Sequence, residues 1–375
     1  MRPKFLLSAA AIWLATTLPA SAFDTIARSA LVLDQASGTV LLAKEADIPI
    51  PPASMSKLMT LNMLFEALQD GRVNLDTEFT VSQKASEKGG SKMFVKQGDR
   101  IEVEDLIRGI IVQSGNDACI VVAENLAGSE ADFARIMTAR ARKLGMNDST
   151  FANATGWPDP NHRMSARDLV TLANRLMTQF PEYYGYFAED SFTWADITQK
   201  NRNPLLDKGI GADGLKTGHT EEAGYGLVGT ARQDDRRVIL MISGLDTADA
   251  RAREAERLMN WAFRQFSQET LLKAGKNVAQ AEVWLGAETT VGLEVADDIS
   301  ALIPYSSREE IKMSVTYEGP IQAPVAKGTE LGVLNIEIPG LPSQSYPVYA
   351  SSDVQYAGLM KRLKVSAQKL QGALR

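Results

Sequence analysis

The feature that most constrains the fold is a change of character at about residue 267. Before it, strand-like runs alternate with helical ones. After it come short alternating apolar runs separated by Gly, Pro and Asp, at 283–285, 290–295, 312–317, 330–338 and 346–350. This pattern is typical of a small all-β sandwich or barrel. A chain of 375 residues is also too long for one ordinary domain. The sequence therefore predicts at least two domains.

The first 266 residues contain both hairpins and helices. Strand-like runs around polar turns predict β-hairpins at 29–45 and 224–244. Apolar periodicity and end signals predict helices in five places: an amphipathic helix from Ser54 to about residue 70 closed by Gly71, two pieces within 101–126 broken at Ser114-Gly115-Asn116, and helices over 130–144, 165–179 and 250–266. The stretch 153–163 is rich in Pro, Asn and Gly and is predicted to be a loop.

The two ends of the chain predict an exported protein that lies on a membrane. Residues 1–22 combine Arg2 and Lys4, an apolar run and a final Ala-Ser-Ala, which is typical of a cleaved signal peptide. Residues 353–375 place apolar side chains at helical spacing opposite basic ones. We interpret this tail as an amphipathic helix that binds anionic lipid. An ordinary packed helix or a protein-docking tail is the alternative.

Composition excludes several classes of function. The net charge of −6 argues against nucleic acid as a partner, because phosphate binding needs a basic surface. One cysteine, Cys119, cannot form an internal disulfide, and its apolar helical neighbours predict a buried, inert thiol. With only His162 and His219 besides, no zinc-type cluster can form, and we predict no metal or other cofactor.

Ser54 and Lys57 form the first candidate catalytic pair. Three prolines precede them, and an apolar helical run follows. Residues three apart on a helix share a face, so the Lys57 amine can reach the Ser54 hydroxyl. A serine becomes nucleophilic when a base takes its proton, and a lysine can do so if its pKa is depressed. A helix N-terminus would also offer N–H groups to a developing oxyanion.

The Ser-x-x-Lys pattern alone is weak, because Ser366-Ala367-Gln368-Lys369 in the tail also matches it. Two further motifs strengthen the first. Ser114-Gly115-Asn116 follows Ser54 in the chain, and Lys216-Thr217-Gly218 comes later, beside His219. A second serine can relay a proton, and an asparagine can bind a substrate amide. A lysine and a threonine can bind a carboxylate, and Gly218 would let a substrate backbone approach a strand edge.

These three motifs in this order are those of penicillin-binding proteins and class A β-lactamases. With the blocks LIRGIIVQSGNDAC, DGLKTGHT and AREAERLMNWAFRQF, the chain resembles the low-molecular-mass penicillin-binding proteins of type 5/6, serine-type D-alanyl-D-alanine carboxypeptidases of peptidase family S11. The resemblance implies an α+β fold. A transpeptidase-like domain over 23–266, an antiparallel sheet with helices on both faces and a helical subdomain, would follow the signal peptide (1–22). A β-sandwich over 267–352 and a membrane-anchoring helix over 353–375 would complete the chain.

The resemblance also implies roles for individual residues. Ser54 would be acylated, with Lys57 as its base and Ser114 and Asn116 as proton relay and amide contact. Lys216 and Thr217 would bind the terminal carboxylate of a peptidoglycan pentapeptide. The backbone N–H groups of Ser54 and His219 would form the oxyanion hole. Further substrate contacts would come from Gly218 and from Arg253 on the last helix of this domain, and Arg202 is a weaker candidate for a charge that lines the cleft. β-Lactams would be covalent inhibitors.

Three alternatives remain open at this point. A β-lactamase is disfavoured, because no Glu-x-x-Leu-Asn lies between the second and third motifs; the near match, Glu256 to Asn260, comes after Lys216. A DD-endopeptidase on the same scaffold would use the same residues. A non-catalytic scaffold protein would keep the cleft and use the β-domain for docking. Two glycosylation-type patterns, Asn147-Asp148-Ser149 and Asn153-Ala154-Thr155, are interpreted as chance.

Overall fold

The structure, a computed structural model, describes residues 23–341, 343–360 and 363. The predicted signal peptide lies outside these residues, and so does most of the predicted C-terminal helix. Within the described part of the chain, no helix has both the length and the apolar character needed to cross a membrane.

An antiparallel sheet forms the centre of the first unit. The strands of this unit are β1 (Ser29–Asp34), β2 (Val40–Lys44), β3 (Glu78–Thr80), β4 (Arg100–Glu102), β5 (Ser191–Trp194), β6 (Ile197–Lys200), β7 (Ala212–Thr220), β8 (Gly224–Gln233) and β9 (Arg236–Leu245). The central sheet has the strand order β2-β1-β9-β8-β7. The two predicted hairpins are confirmed as β1–β2 and β8–β9.

Helices cover both faces of this sheet, as the resemblance implied. They are α1 (Lys57–Gln69), α2 (Gln83–Glu87), α3 (Val103–Ile111), α4 (Asn116–Ala127), α5 (Glu130–Lys143), α6 (Ala166–Gln179), α7 (Pro181–Tyr184) and α8 (Ala248–Arg264). Along β1, Leu31 packs into the larger core with α1, α4 and α6, whereas Ala30 and Val32 pack into a second core with α8. Successive strand side chains point to opposite faces, so both faces of β1 are buried.

The helix predicted to begin at Ser54 differs from expectation in two ways. Ala53–Ser56 forms a 3-10 turn, and α1 starts only at Lys57. Every residue from Lys57 to Phe65 is buried, so α1 is not amphipathic but is surrounded by the sheet and the other helices. Gly71, with φ of +69°, follows the helix as predicted. Ser54 therefore lies in a tight turn at the edge of a buried helix.

The second unit is all-β, as predicted, and has its own core. Val283, Leu293, Leu334 and Val348 are among its buried side chains. Its strands are β10 (Phe266–Leu272), β11 (Asn277–Trp284), β12 (Thr290–Glu294), β13 (Ile299–Pro304), β14 (Lys312–Tyr317), β15 (Ile321–Gln322), β16 (Glu330–Glu337) and β17 (Gln344–Ala350). They pair in two groups, with the orders β10-β13 and β14-β16-β17-β12-β11-β15.

Candidate active site

Ser54 and Lys57 are in direct contact. Nζ of Lys57 lies 2.7 Å from Oγ of Ser54 and 2.7 Å from the carbonyl oxygen of Thr155. The lysine is fully buried. Its amine is thus held between the hydroxyl and a backbone carbonyl, away from bulk water.

Burial lowers the pKa of Lys57 to about 8, because a charged amine is poorly solvated there. The nearby Arg202 guanidinium contributes to this lowering of the pKa, while Cys119 and the Asp117 carboxylate oppose it. A substantial fraction of Lys57 is therefore neutral near physiological pH. A neutral amine beside a serine hydroxyl can accept its proton.

The second motif occupies the connection between α3 and α4. Ser114 has φ of +57°, an uncommon conformation for a residue with a Cβ, and its hydroxyl accepts a hydrogen bond from Nζ of Lys216 at 3.0 Å. Asn116 is the first residue of α4 and donates from Nδ2 to the carbonyl of Gly89 at 2.9 Å. The motif thus contacts the third motif through Ser114 and the 89–91 segment through Asn116.

The third motif lies on β7. Lys216 is buried, and burial together with the charge of Lys57 lowers its pKa. Gly218 differs from expectation, since a Cβ there would come within 2.9 Å of the carbonyl oxygen of Pro52 and 3.1 Å of Met55. The missing side chain thus lets β7 pack against the turn that carries Ser54, while Gly218 also lines the cavity described below, so its predicted contact with a substrate stays a prediction.

The three motifs meet at one cavity of about 370 Å³. Ser54 from the first motif and Ser114 from the second line it together with residues of β7. Two arginines give it a positive character suited to a carboxylate ligand. Its lining residues are Ser54, Ser91, Ser114, Arg202, Thr217, Gly218, His219, Tyr225, Ala248 and Arg251. Each motif thus contributes at least one lining residue, whereas Asn116 is not among the lining residues, and the buried Lys57 and Lys216 contact Ser54 and Ser114 instead of lining the cavity.

Arg253 does not lie at this cavity, and the prediction for it must be corrected. Its side chain is 70% exposed and pairs with Asp249 on the outer face of α8. Arg251 lines the cavity instead, with its Nε buried and without a hydrogen-bond partner among the described residues. Residues two positions apart on a helix point in directions about 200° apart around its axis, so only one of Arg251 and Arg253 can face the cleft.

His219 and Arg202 both line the cavity, as their sequence positions suggested. The His219 ring stacks on Tyr225 with ring centroids 3.8 Å apart. Arg202 donates from Nη1 to Oγ of Ser91 at 2.6 Å. Tyr225 and Ser91 were not found from the sequence, because neither belongs to a motif with chemical meaning of its own.

A family comparison decides what kind of protein this is. The family model described as D-alanyl-D-alanine carboxypeptidase, peptidase S11, matches residues 16–247. The chain belongs to that family of enzymes. A second model, the C-terminal domain of penicillin-binding protein 5, matches residues 266–356. The prediction of family from the motifs is therefore confirmed.

Individual relatives of this carboxypeptidase agree with the family assignment. D-alanyl-D-alanine carboxypeptidase DacC of Escherichia coli is 35% identical over 96% of this chain and 91% of that protein. The structure of penicillin-binding protein 5 from Haemophilus influenzae has a TM-score of 0.72 at 33% identity, covering 88% of this chain and 98% of that one. Penicillin-binding protein D2 of Listeria monocytogenes, solved in an ampicillin-bound form, has a TM-score of 0.59 at 31% identity over 64% of this chain and 98% of its own.

Cys119 takes no part in the carboxypeptidase site. It is buried within α4, as predicted, and burial raises its thiol pKa to about 12. A thiol with so high a pKa is neutral and a poor nucleophile. Cys119 is therefore not a candidate for the nucleophile.

Proposed function

We propose that the protein removes the terminal D-alanine from peptidoglycan pentapeptide stems through an acyl-enzyme on Ser54. The observation that carries this proposal is the 2.7 Å contact between Ser54 Oγ and the buried amine of Lys57. In the first step, Lys57 takes the hydroxyl proton while Oγ attacks the carbonyl carbon of the terminal peptide bond. The backbone N–H groups of Ser54 and His219 would stabilise the resulting oxyanion.

The proton must then reach the leaving amine. Ser114 and Lys216 form a hydrogen-bonded pair that can relay it, since their polar atoms lie 3.0 Å apart. Cleavage of the C–N bond releases D-alanine and leaves an ester on Ser54. Water then attacks the ester carbon, with Lys57 again as base, and frees the shortened peptide. Asn116 would bind the substrate amide during these steps.

Recognition of the terminal carboxylate falls to the cationic side of the cavity. Lys216 and Thr217 on β7 supply charge and a hydroxyl, and Arg251 supplies a buried guanidinium whose Nε still needs an acceptor. We assign to Arg251 the supporting role in carboxylate binding that the family resemblance implied for Arg253. A bound carboxylate would favour the protonated form of Lys216, and that charge would in turn help to keep Lys57 neutral.

The same reaction with a β-lactam would leave a stable ester on Ser54. The ampicillin-bound relative supports this expectation. No Glu-x-x-Leu-Asn lies between the second and third motifs, so we expect the adduct to persist rather than turn over. We further propose export by residues 1–22 and attachment of the tail, 353–375, to the outer face of the cytoplasmic membrane. The signal-like start and the basic amphipathic pattern of the tail support this.

The test of the proposal is to locate a penicillin adduct. After brief exposure to benzylpenicillin, the intact protein should gain the mass of one penicillin molecule. Peptide mapping should place that mass on Ser54, and a pentapeptide substrate should release D-alanine before exposure but not after it. An adduct on another residue, or D-alanine release by Ser54→Ala at the wild-type rate, would contradict the mechanism.

The acylation rate should rise with pH through about 8, the pKa to which burial lowers Lys57. Only the neutral amine can accept the serine proton, so below this pKa the rate should fall about tenfold per pH unit. The measurement is the second-order rate constant for labelling by a fluorescent penicillin, from roughly pH 5.5 to 9.5. A rate that stays constant across this range would show that Lys57 is not the base.

A further inference from the structure

The segment 153–157, called here the Asn153 turn, is organised by one side chain. Oδ1 of Asn153 accepts hydrogen bonds from the backbone N–H groups of Thr155, Gly156 and Trp157 at 3.1, 2.9 and 3.0 Å. It also accepts one from Oγ of Thr155 at 3.0 Å, and Nδ2 donates to the carbonyl of Trp157 at 3.0 Å. The conformation of the turn therefore depends on Asn153, which lies in no helix or strand.

The Asn153 turn presents its carbonyl groups to α1. The carbonyl of Ala154 accepts from Oγ of Thr60 at 2.6 Å, and that of Thr155 accepts from Nζ of Lys57 at 2.7 Å. Gly156, with φ of +77°, lies so close to Ala53 that it has no room for a Cβ. The turn is thus fixed on one side by Asn153 and on the other by the residues that carry Ser54 and Lys57.

The Thr155 carbonyl has a specific chemical consequence for a lysine acting as base. A neutral amine has two hydrogens and one lone pair. If one hydrogen is donated to Thr155, rotation about the last side-chain bond is restricted, and the lone pair can be directed at the Ser54 hydroxyl. Without that acceptor, a neutral Lys57 could instead donate to Ser54 Oγ, which leaves the serine proton in place.

We propose that Asn153 is a positioning residue for Lys57: by holding the Thr155 carbonyl in place, it orients the amine that deprotonates Ser54. The inference rests on the proposed role of Lys57 as general base. Asn153 is not among the cavity-lining residues, and its side-chain hydrogen bonds are to Thr155, Gly156 and Trp157, so it acts through the turn. The charged or titratable groups that also influence Lys57 are Lys88, Asp117, Cys119, His162, Arg202 and Lys216, from several different elements.

Two substitutions separate positioning from a merely structural role. Asn153→Ala removes all the acceptors and donors of the side chain, so the acylation rate at high pH should fall about 30-fold through misorientation. The pH at which its acylation rate falls on the acid side should also be lower, because the ammonium form of Lys57 loses the Thr155 acceptor and the pKa of Lys57 drops. Asn153→Asp keeps Oδ1 and should retain most of the high-pH rate. Its added charge favours the ammonium form, so the acid limb should move to higher pH, by roughly one unit.

The measurement is penicillin labelling across the pH range, with thermal unfolding recorded for each variant. Asn161→Ala is the matched control, because Asn161 is an exposed asparagine in the same loop, and it should behave as wild type. Wild-type profiles for both Asn153 variants would overturn the inference. The inference would also be overturned if the labelling rate of Asn153→Ala fell by the same factor at every pH, in parallel with its loss of thermal stability. If Asn153→Ala does not fold, the high-pH labelling rate of Asn153→Asp decides: because Oδ1 is kept, a rate near that of the wild type supports the inference, and a loss of about 30-fold overturns it. Unchanged labelling of Lys57→Met would instead refute the base itself.

Discussion

Replacing Lys57 with methionine is expected to slow the acylation of Ser54 by penicillin about 10³-fold, because the base is lost. The free energy of unfolding should change by less than about 2 kcal/mol. Methionine has a similar volume and no amine to desolvate, which offsets the hydrogen bond lost to the Thr155 carbonyl. Stopped-flow or gel-based labelling measures the rate, and denaturant unfolding measures the stability.

The sequence offers a matched control for this substitution. Lys369 stands in the second Ser-x-x-Lys pattern of the chain, which the other two motifs do not follow, so Lys369→Met removes a lysine of identical spacing. It should leave labelling unchanged. Wild-type labelling by Lys57→Met would exclude Lys57 as base. A rate loss matched by a large loss of stability would mean that Lys57 acts mainly through the fold.

The motifs predicted the reacting groups because their chemistry and their order are both restrictive. Ser54 and Lys57 are three residues apart, and that spacing brought the two polar atoms together even though the local structure is a 3-10 turn rather than an α-helix. The contact between Ser114 and Lys216 joins residues 102 positions apart. No local pattern predicts this contact, and the family resemblance implied only that both residues belong to one site.

Other parts of the site depend on packing that a sequence pattern does not contain. Arg251 and Arg253 both lie near the start of α8, and only the rotation of the helix against the sheet decides which one faces the cavity. Likewise, α1 was expected to have a polar face. Three of its polar residues, Lys57, Thr60 and Asn62, are buried, and each has a hydrogen-bond partner from elsewhere in the chain.

The Asn153 turn shows how one pattern can have two meanings. Asn153-Ala154-Thr155 matches a glycosylation pattern, and on sequence alone it was interpreted as chance. An asparagine followed by small residues and glycine is also suited to a side-chain-capped turn, since Oδ1 can reach the next backbone N–H groups. The second meaning becomes visible only when the turn is found against Lys57.

Replacing Gly156 with alanine is expected to lower both stability and acylation. A Cβ at this position would lie 1.9 Å from the carbonyl oxygen of Ala53 and 2.7 Å from Oγ of Ser56, at φ of +77°. Because the close contact is with backbone, either the turn or the segment beside Ser54 must move. We expect a loss of about 4 kcal/mol, which for a domain of this size lowers the Tm by about 10 °C.

Gly145→Ala separates this steric effect from backbone strain. Gly145 has φ of +80° after α5, and a Cβ there would have nothing within 4 Å. It should cost only about 1 kcal/mol and leave penicillin labelling unchanged. Gly156→Ala, measured well below its own Tm, should still label more than about tenfold slower, because displacement of Ala53 or Thr155 separates Ser54 from a correctly oriented Lys57. Equal Tm values and equal labelling rates for the two variants would mean that the turn does not need to lie against Ala53.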